Sequence, residues 1–318
     1  MKPVPLILDT DIGSDCDDAG ALAVLHALAD LGEAEILACI YSSGMNPFGP
    51  GCIAAINAWY GRPDIPLGSA PAGDLGDPRN DFLEAIATNT GLYGHSVVTR
   101  EDERVAGMVS CYRRALAGAE DGSVRIVSIG HTQGVHDLLF SEADEISPLT
   151  GRELIARKVA AWIPMGGGFP HRDKPGWNFG RMGAARYTRN VVEGWPIQSE
   201  IVFSGYEIGL PIVTGAALRN SPQANPVREA YRLWNGGIAL AEGRASWDQT
   251  AVLYAVRSSP STAYWHVCRN GYCAIDDEGS TEWHFGDQRN HGYLVQTMPP
   301  AEIASILEVL MCAEPRLV

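Results

Sequence analysis

Short, largely apolar runs alternate with stretches of helical periodicity over roughly the first two-thirds of the chain. The apolar runs are Pro5–Leu8, Ala34–Tyr41, Ile65–Gly68, Val124–Ile129, Val159–Met165 and Ile201–Phe203. Helical stretches fall at about Ala19–Leu31, Gly51–Tyr60, Arg104–Ala119, Val135–Phe140, Ala184–Val192 and Asn225–Trp234. A strand that is apolar at every position must be covered on both faces, and helical crossovers on either side of a parallel sheet do this. The expected fold is therefore α/β, a mainly parallel sheet flanked by helices. From about Ser261 the texture changes. Trp265-His-Val-Cys, Ala274-Ile-Asp, Glu282-Trp-His-Phe and Gly292-Tyr-Leu-Val are short strands parted by Gly and Asp, which reads as an antiparallel meander before a closing helix, Pro300–Cys312. With no linker in 318 residues, the expectation is one domain, 1–318. Its core would span 1–258, with a small β-rich C-terminal appendage over 259–318.

The most informative loop follows the first strand. Asp9, Asp11, Asp15, Asp17 and Asp18 fall within ten residues, and a helix begins at once after them. Ligands of open α/β sheets bind beyond the carboxyl ends of the strands, which is where this loop lies. Asp17 and Asp18 also sit at a helix N-terminus, where the dipole favours negative charge. Five like charges at loop distances require a cation or raised pKa values. A set made only of carboxylates suits calcium or magnesium better than zinc. The plainer alternative is a solvated acidic turn with a helix cap. An EF-hand is excluded by the spacing of its glycine and distal glutamate.

Charge narrows the partners. A formal net charge of −14 argues against nucleic acid or an anionic membrane surface. Seven scattered cysteines suggest a reducing compartment. Val4–Leu8 is too short for a signal-peptide core, and no apolar run reaches membrane-spanning length. A cytoplasmic protein acting on a small molecule is expected.

The aspartate loop resembles the Asp-x-Asp-x-x-x-Asp-Asp fingerprint of the inosine–uridine-type nucleoside hydrolases, and further pieces follow in that family's order. Val127-Ser-Ile-Gly130 resembles the strand end that supplies a carbonyl ligand, Met165-Gly-Gly-Gly168 its Met-Gly-Gly turn, and Trp177-Asn-Phe179 its Glu-Phe-Asn segment. Trp247-Asp-Gln-Thr-Ala251 resembles the helix start that carries the late ligand. The resemblance runs from Leu6 to about Val256. It implies a calcium-dependent hydrolase that releases free base and ribose from a nucleoside, in purine or pyrimidine salvage, within a dimer or tetramer. Asp11, Asp18, Asp248 and the Ile129 carbonyl would be the Ca2+ ligands, with Asp9 a supporting carboxylate. Asp17 would be the general base toward a calcium-held water. Asn46, Met165, Asn178 and Asp248 would contact substrate. Trp247 would stack on the departing base or be a structural aromatic, and His95 is the best placed of eight histidines to protonate the leaving group. His131 is a weaker candidate.

Three departures from the family pattern stand out. The first loop is two residues longer, which leaves Asp15 as the inserted carboxylate. Gly176 replaces a glutamate that contacts the sugar 5′ hydroxyl, so the resemblance implies looser discrimination there. Asn46 matches the family's asparagine only approximately. Two other activities remain open at this level. A haloacid-dehalogenase-like phosphohydrolase would use Asp9 as nucleophile, although Gly13 stands where that family has a hydroxyl residue. A nucleoside- or sugar-binding homologue would keep the metal and lack turnover.

Overall fold

A computed structural model describes residues 2–259, 264–287 and 289–316. Its strands are β1 (Val4–Thr10), β2 (Ala34–Tyr41), β3 (Leu67–Ser69), β4 (Val105–Gly107), β5 (Val124–Ser128), β6 (Val159–Pro164), β7 (His171–Arg172) and β8 (Glu200–Phe203). They continue with β9 (Val213–Thr214), β10 (Arg244–Ala245), β11 (Trp265–Cys268), β12 (Gly271–Ile275), β13 (Thr281–Phe285) and β14 (His291–Gln296). The main sheet has nine strands in the order β11-β14-β8-β6-β5-β1-β2-β3-β4. Its pairings are parallel except that of β11 with β14. In β1, Leu6 and Leu8 enter the core on one face while Ile7 enters the core on the other, so the apolar run is buried on both sides as expected.

From β1 the chain first builds outward through β2, then returns to place β5 on the opposite side of β1. This reversal opens a crevice at the carboxyl ends of β1 and β5, the position where open α/β sheets hold ligands. The helix α1 (Asp17–Asp30) leads away from that crevice and is buried along nearly its whole length, packed against the helices Trp247–Val256 and Pro300–Met311. Gly20 sets the approach of these helices. A Cβ there would fall 2.4 Å from Gln249 Nε2 and 2.6 Å from the Tyr231 hydroxyl, and those two groups hydrogen-bond to each other at 2.9 Å. The contact keeps the start of α1 beside the start of Trp247–Val256.

Two expectations change. Val105–Gly107, read as part of a helix from Arg104, is instead the edge strand β4, and the helix starts at Met108. Three residues carry too little period to announce a strand. The strands after Ser261 also do not form one meander. β14 joins the main sheet in parallel with β8, β11 closes that edge, and the β12–β13 hairpin pairs with β7 in a separate three-stranded sheet. The run Tyr293-Leu-Val295 lets β14 work as a core strand, with Tyr293 and Leu294 buried. Residues 260–263 of that segment lie outside the described residues.

Gly20→Ala should destabilise the protein by about 1–3 kcal/mol through overpacking, whereas a glycine in an open helix would gain stability from the same change. Urea unfolding of both proteins checks this. An unchanged or raised midpoint would contradict the helix contact.

Candidate active site

The aspartate loop leaves β1 through a sharp turn. Gly13 adopts φ +118°, and a Cβ there would lie 2.4 Å from Leu83 Cδ1, so glycine is required on both grounds. Ser14 Oγ donates to Asp11 Oδ2 at 3.2 Å, and the Thr10 hydroxyl donates to Asp18 Oδ1 at 2.5 Å. At the opposite wall, Asp248 opens the helix Trp247–Val256, and its N–H reaches Asp17 Oδ2 at 3.4 Å. Carboxylate oxygens of Asp17, Asp18 and Asp248 lie within 4.8 Å of one another, and all three residues are buried.

These groups face a cavity of about 580 Å³ at the crevice. Asp11, Asp15, Asp17, Asp18, Ile129, Met165, Asn178, Trp247 and Asp248 all line it. Asn178 Nδ2 donates to the Ile129 carbonyl at 2.8 Å and to the Met165 carbonyl at 3.0 Å, tying the ends of β5 and β6 together. A carbonyl has two lone pairs, so Ile129 keeps one for another partner. Gly130 permits the close pass of β5 by the loop, since a Cβ there would lie 2.6 Å from the Asp11 amide.

Burial raises the carboxyl pKa values of Asp11, Asp17, Asp18 and Asp248, and for the last three the neighbouring carboxylates add to the rise. A buried set of hard oxygen donors such as this fits a divalent metal ion. The triad contains Asp17, whereas the sequence pointed to Asp11 with Asp18 and Asp248. Asp11 stands close by, with its Oδ2 also accepting from Trp177 Nε1 at 3.4 Å.

The other expected residues fall elsewhere. Asp9 lies beneath the cavity, fully buried, accepting from the Tyr112 hydroxyl at 2.5 Å. Burial pushes its carboxyl pKa up to about 7. Asn46 and His95 are not among the lining residues. The Asn46 side chain accepts from the Phe48 amide and donates to the Arg79 carbonyl, which makes it a turn residue. His95 Nδ1 donates to the Val97 carbonyl at 2.7 Å, and burial lowers its pKa, so it holds a loop as a neutral ring. His131 is buried against Trp177 at 6.2 Å between ring centres, and it too lies outside the lining.

The structure adds residues that the sequence did not single out. Arg244 clamps Asp15 through two nitrogens, so the inserted carboxylate has its own counterion. The same guanidinium sits 4.7 Å from the Trp234 ring centre and 4.9 Å from that of Trp247. Tyr206, just beyond β8, stacks on Trp247 at 5.3 Å and accepts its indole N–H through its carbonyl at 2.9 Å. Tyr206 could have been found from its place after a strand end. Arg244 is legible only once its partner is known.

Solved structures share this architecture. A plant nucleoside hydrolase aligns with TM-score 0.66 and 18% identity, over 98% of this chain and 99% of that one. The inosine-uridine preferring nucleoside hydrolase of Bacillus anthracis aligns with TM-score 0.68 and 13% identity, over 97% and 99%. The chain has the nucleoside hydrolase fold. The type III effector protein XopQ, solved with adenosine diphosphate ribose, aligns with TM-score 0.65 and 16% identity, over 98% and 94%. Neither a protein-family model nor a curated protein sequence matches the chain. Among the described residues, no helix is long and apolar enough to cross a membrane.

The buried carboxyls give a pH prediction. A carboxyl whose folded pKa is raised stabilises the fold at low pH and loses that contribution as pH rises through the folded value. Asp9, raised to about 7, and Asp17, Asp18 and Asp248, raised well above the ordinary carboxylate value, all act in this sense. Buried His26 and His291, lowered to about 3 and about 4 chiefly by burial, act oppositely but only below the ordinary histidine value. With chelator, the melting temperature should therefore fall as pH rises from about 6.5 through about 7.5, and calcium should raise it most at the upper end. A thermal-shift series checks this. A rise with pH in chelator would contradict it, as would a calcium effect equal at every pH.

Proposed function

We propose that the chain is a metal-dependent hydrolase of the N-glycosidic bond of a ribonucleoside or related N-riboside, releasing base and ribose. The observation that carries this reading is the convergence of buried Asp17, Asp18 and Asp248 on one cavity with the Ile129 carbonyl and Asn178. The shared fold supports it, and the effector XopQ, complexed with adenosine diphosphate ribose, shows that this fold also takes a ribose-containing ligand larger than a nucleoside.

Asp18 and Asp248, with Asp11 and the Ile129 carbonyl, would hold the ion, for which calcium suits the all-oxygen set. When bound, such an ion supplies a fixed positive charge that orients hydroxyls and makes water more acidic. Asp17 then takes the proton of the attacking water; burial raises its proton affinity, which suits a base. Asn178, its amide nitrogen committed to two carbonyls, offers Oδ1 to a sugar hydroxyl. The surrounding carboxylates stabilise the oxocarbenium character of the breaking sugar. The Trp247–Tyr206 pair forms an aromatic wall for the base. The sugar's 5′ carbon is directed toward Gly176, where the family resemblance implies a 5′ contact. A phosphohydrolase built on Asp9 is disfavoured, because that carboxylate is fully buried and held by Tyr112.

A panel of purine and pyrimidine ribonucleosides, read for free base with calcium or with chelator, tests the proposal. Base release should require the metal, and Asp17→Asn should lower kcat by about 10²–10⁴-fold with a much smaller change in KM. The proposal fails if no N-riboside is cleaved with calcium present, the outcome a binding-only homologue would give. Near wild-type turnover by the variant would remove Asp17 as base.

A further inference from the structure

The cavity carries cationic side chains as well as carboxylates. Four arginines line it, Arg79, Arg172, Arg181 and Arg244. Arg79 is paired with Asp81 and Arg244 with Asp15. Among the described residues, no carboxylate lies within ion-pair distance of Arg172 or Arg181. Arg172 lies over the Tyr206 ring at 4.2 Å, with Nη1 donating to the Gly167 carbonyl at 3.3 Å. Glu207 is the acid on that side, its Oε2 3.3 Å from where a Gly168 Cβ would stand while Arg172 Cδ is 3.0 Å from the same point. It forms no ion pair with Arg172. Arg181 is exposed and lies 6.0 Å from the Trp177 ring centre. Two guanidinium groups thus stand on the cavity wall without an ion pair among the described residues, although the Arg172 charge reaches Glu207, where it opposes the rise in carboxyl pKa that burial causes.

Gly176 lies between them in the chain and also lines the cavity. Its backbone, φ −71° and ψ 167°, suits any residue. An added Cβ would meet only the Gly167 nitrogen, at 3.6 Å, an ordinary contact. Neither backbone nor packing calls for glycine, so the consequence of the missing side chain is open space. The Gly167 N–H beside that space is also uncommitted. Its neighbours are used, Gly166 N–H by the Ser204 carbonyl and Gly168 N–H by Thr281 Oγ1, while Gly167 N–H has no acceptor among the described residues.

We infer that the N-riboside taken by this cavity carries a 5′-phosphate, seated in the space at Gly176 and held by Arg172, Arg181 and the Gly167 N–H. The inference rests on the N-riboside reading above, which directs the 5′ carbon to Gly176. Guanidinium groups match phosphate oxygens in charge and geometry, and a backbone N–H supplies a further donor. A carboxylate side chain at position 176 would repel the same dianion, so glycine there and two guanidiniums without an ion pair act in one direction. The volume of about 580 Å³ lies within the usual range for small-molecule sites.

The test uses the calcium-loaded full chain on four ribonucleosides and their 5′-monophosphates, read for free base. Ribose 5-phosphate and ribose are titrated calorimetrically beside it. At least one monophosphate should exceed its nucleoside in kcat/KM by tenfold or more, and ribose 5-phosphate should bind more tightly than ribose. The Arg172→Gln/Arg181→Gln variant should lower the monophosphate-to-nucleoside ratio at least tenfold and remove the advantage of ribose 5-phosphate. Gly176→Glu, at a position with room for a side chain, should reverse the preference. Nucleosides cleaved as well as or better than their monophosphates would overturn the inference and leave the N-riboside reading standing. Base released from neither series would overturn both.

Discussion

The repulsion among buried carboxylates is the constraint on which the rest of this structure depends. Asp11, Asp17, Asp18 and Asp248 are brought together from one loop, one helix start and a second helix more than two hundred residues later. Charges so placed cannot all be ionised without a counterion, and no basic side chain is paired with any of them among the described residues. The fold nonetheless invests heavily in the arrangement. Gly20 draws two helices together, Gly13 lets the loop turn tightly against Leu83, Gly130 lets it pass close to the end of β5, and Asn178 ties β5 to β6. In the reading proposed above, a bound cation would resolve the repulsion and give these contacts a common purpose.

Arginine divides the remaining labour. Arg244 pairs with Asp15, whose charge still adds to the burial-driven rise in the Asp17 pKa, and it also stands near two tryptophans of the cavity wall. Arg172 and Arg181 have no such duty. The cavity thus carries carboxylates at the carboxyl end of β1 together with two guanidiniums, from residues on either side of Gly176 in the chain, that have no ion pair among the described residues.

Much of this was legible in the chain itself. Largely apolar runs such as Leu6–Leu8 and Val124–Ile129 announced buried parallel strands, and the position of five aspartates at the end of the first of them pointed to the candidate site. What escaped were features set by distant partners. The edge strand Val105–Gly107 is too short to show a period, and β14 gains its place from pairing with β8. Asn46 and His95 carried residue types suited to a site, yet their own neighbours engage them in a turn and a loop. Nothing local in Arg244 reveals that its partner is Asp15, because that contact exists only after β10 is placed beside the first loop.

The most direct test of the account is a crystal structure of the calcium-soaked protein with anomalous data locating the ion. The account predicts one ion at the carboxyl ends of β1 and β5, with oxygens of Asp18, Asp248 and Asp11 and the Ile129 carbonyl at about 2.3–2.6 Å. Asp17 should lie against a water beside it. A cluster that stays free of metal at saturating calcium, or an ion bound away from these aspartates, would contradict it.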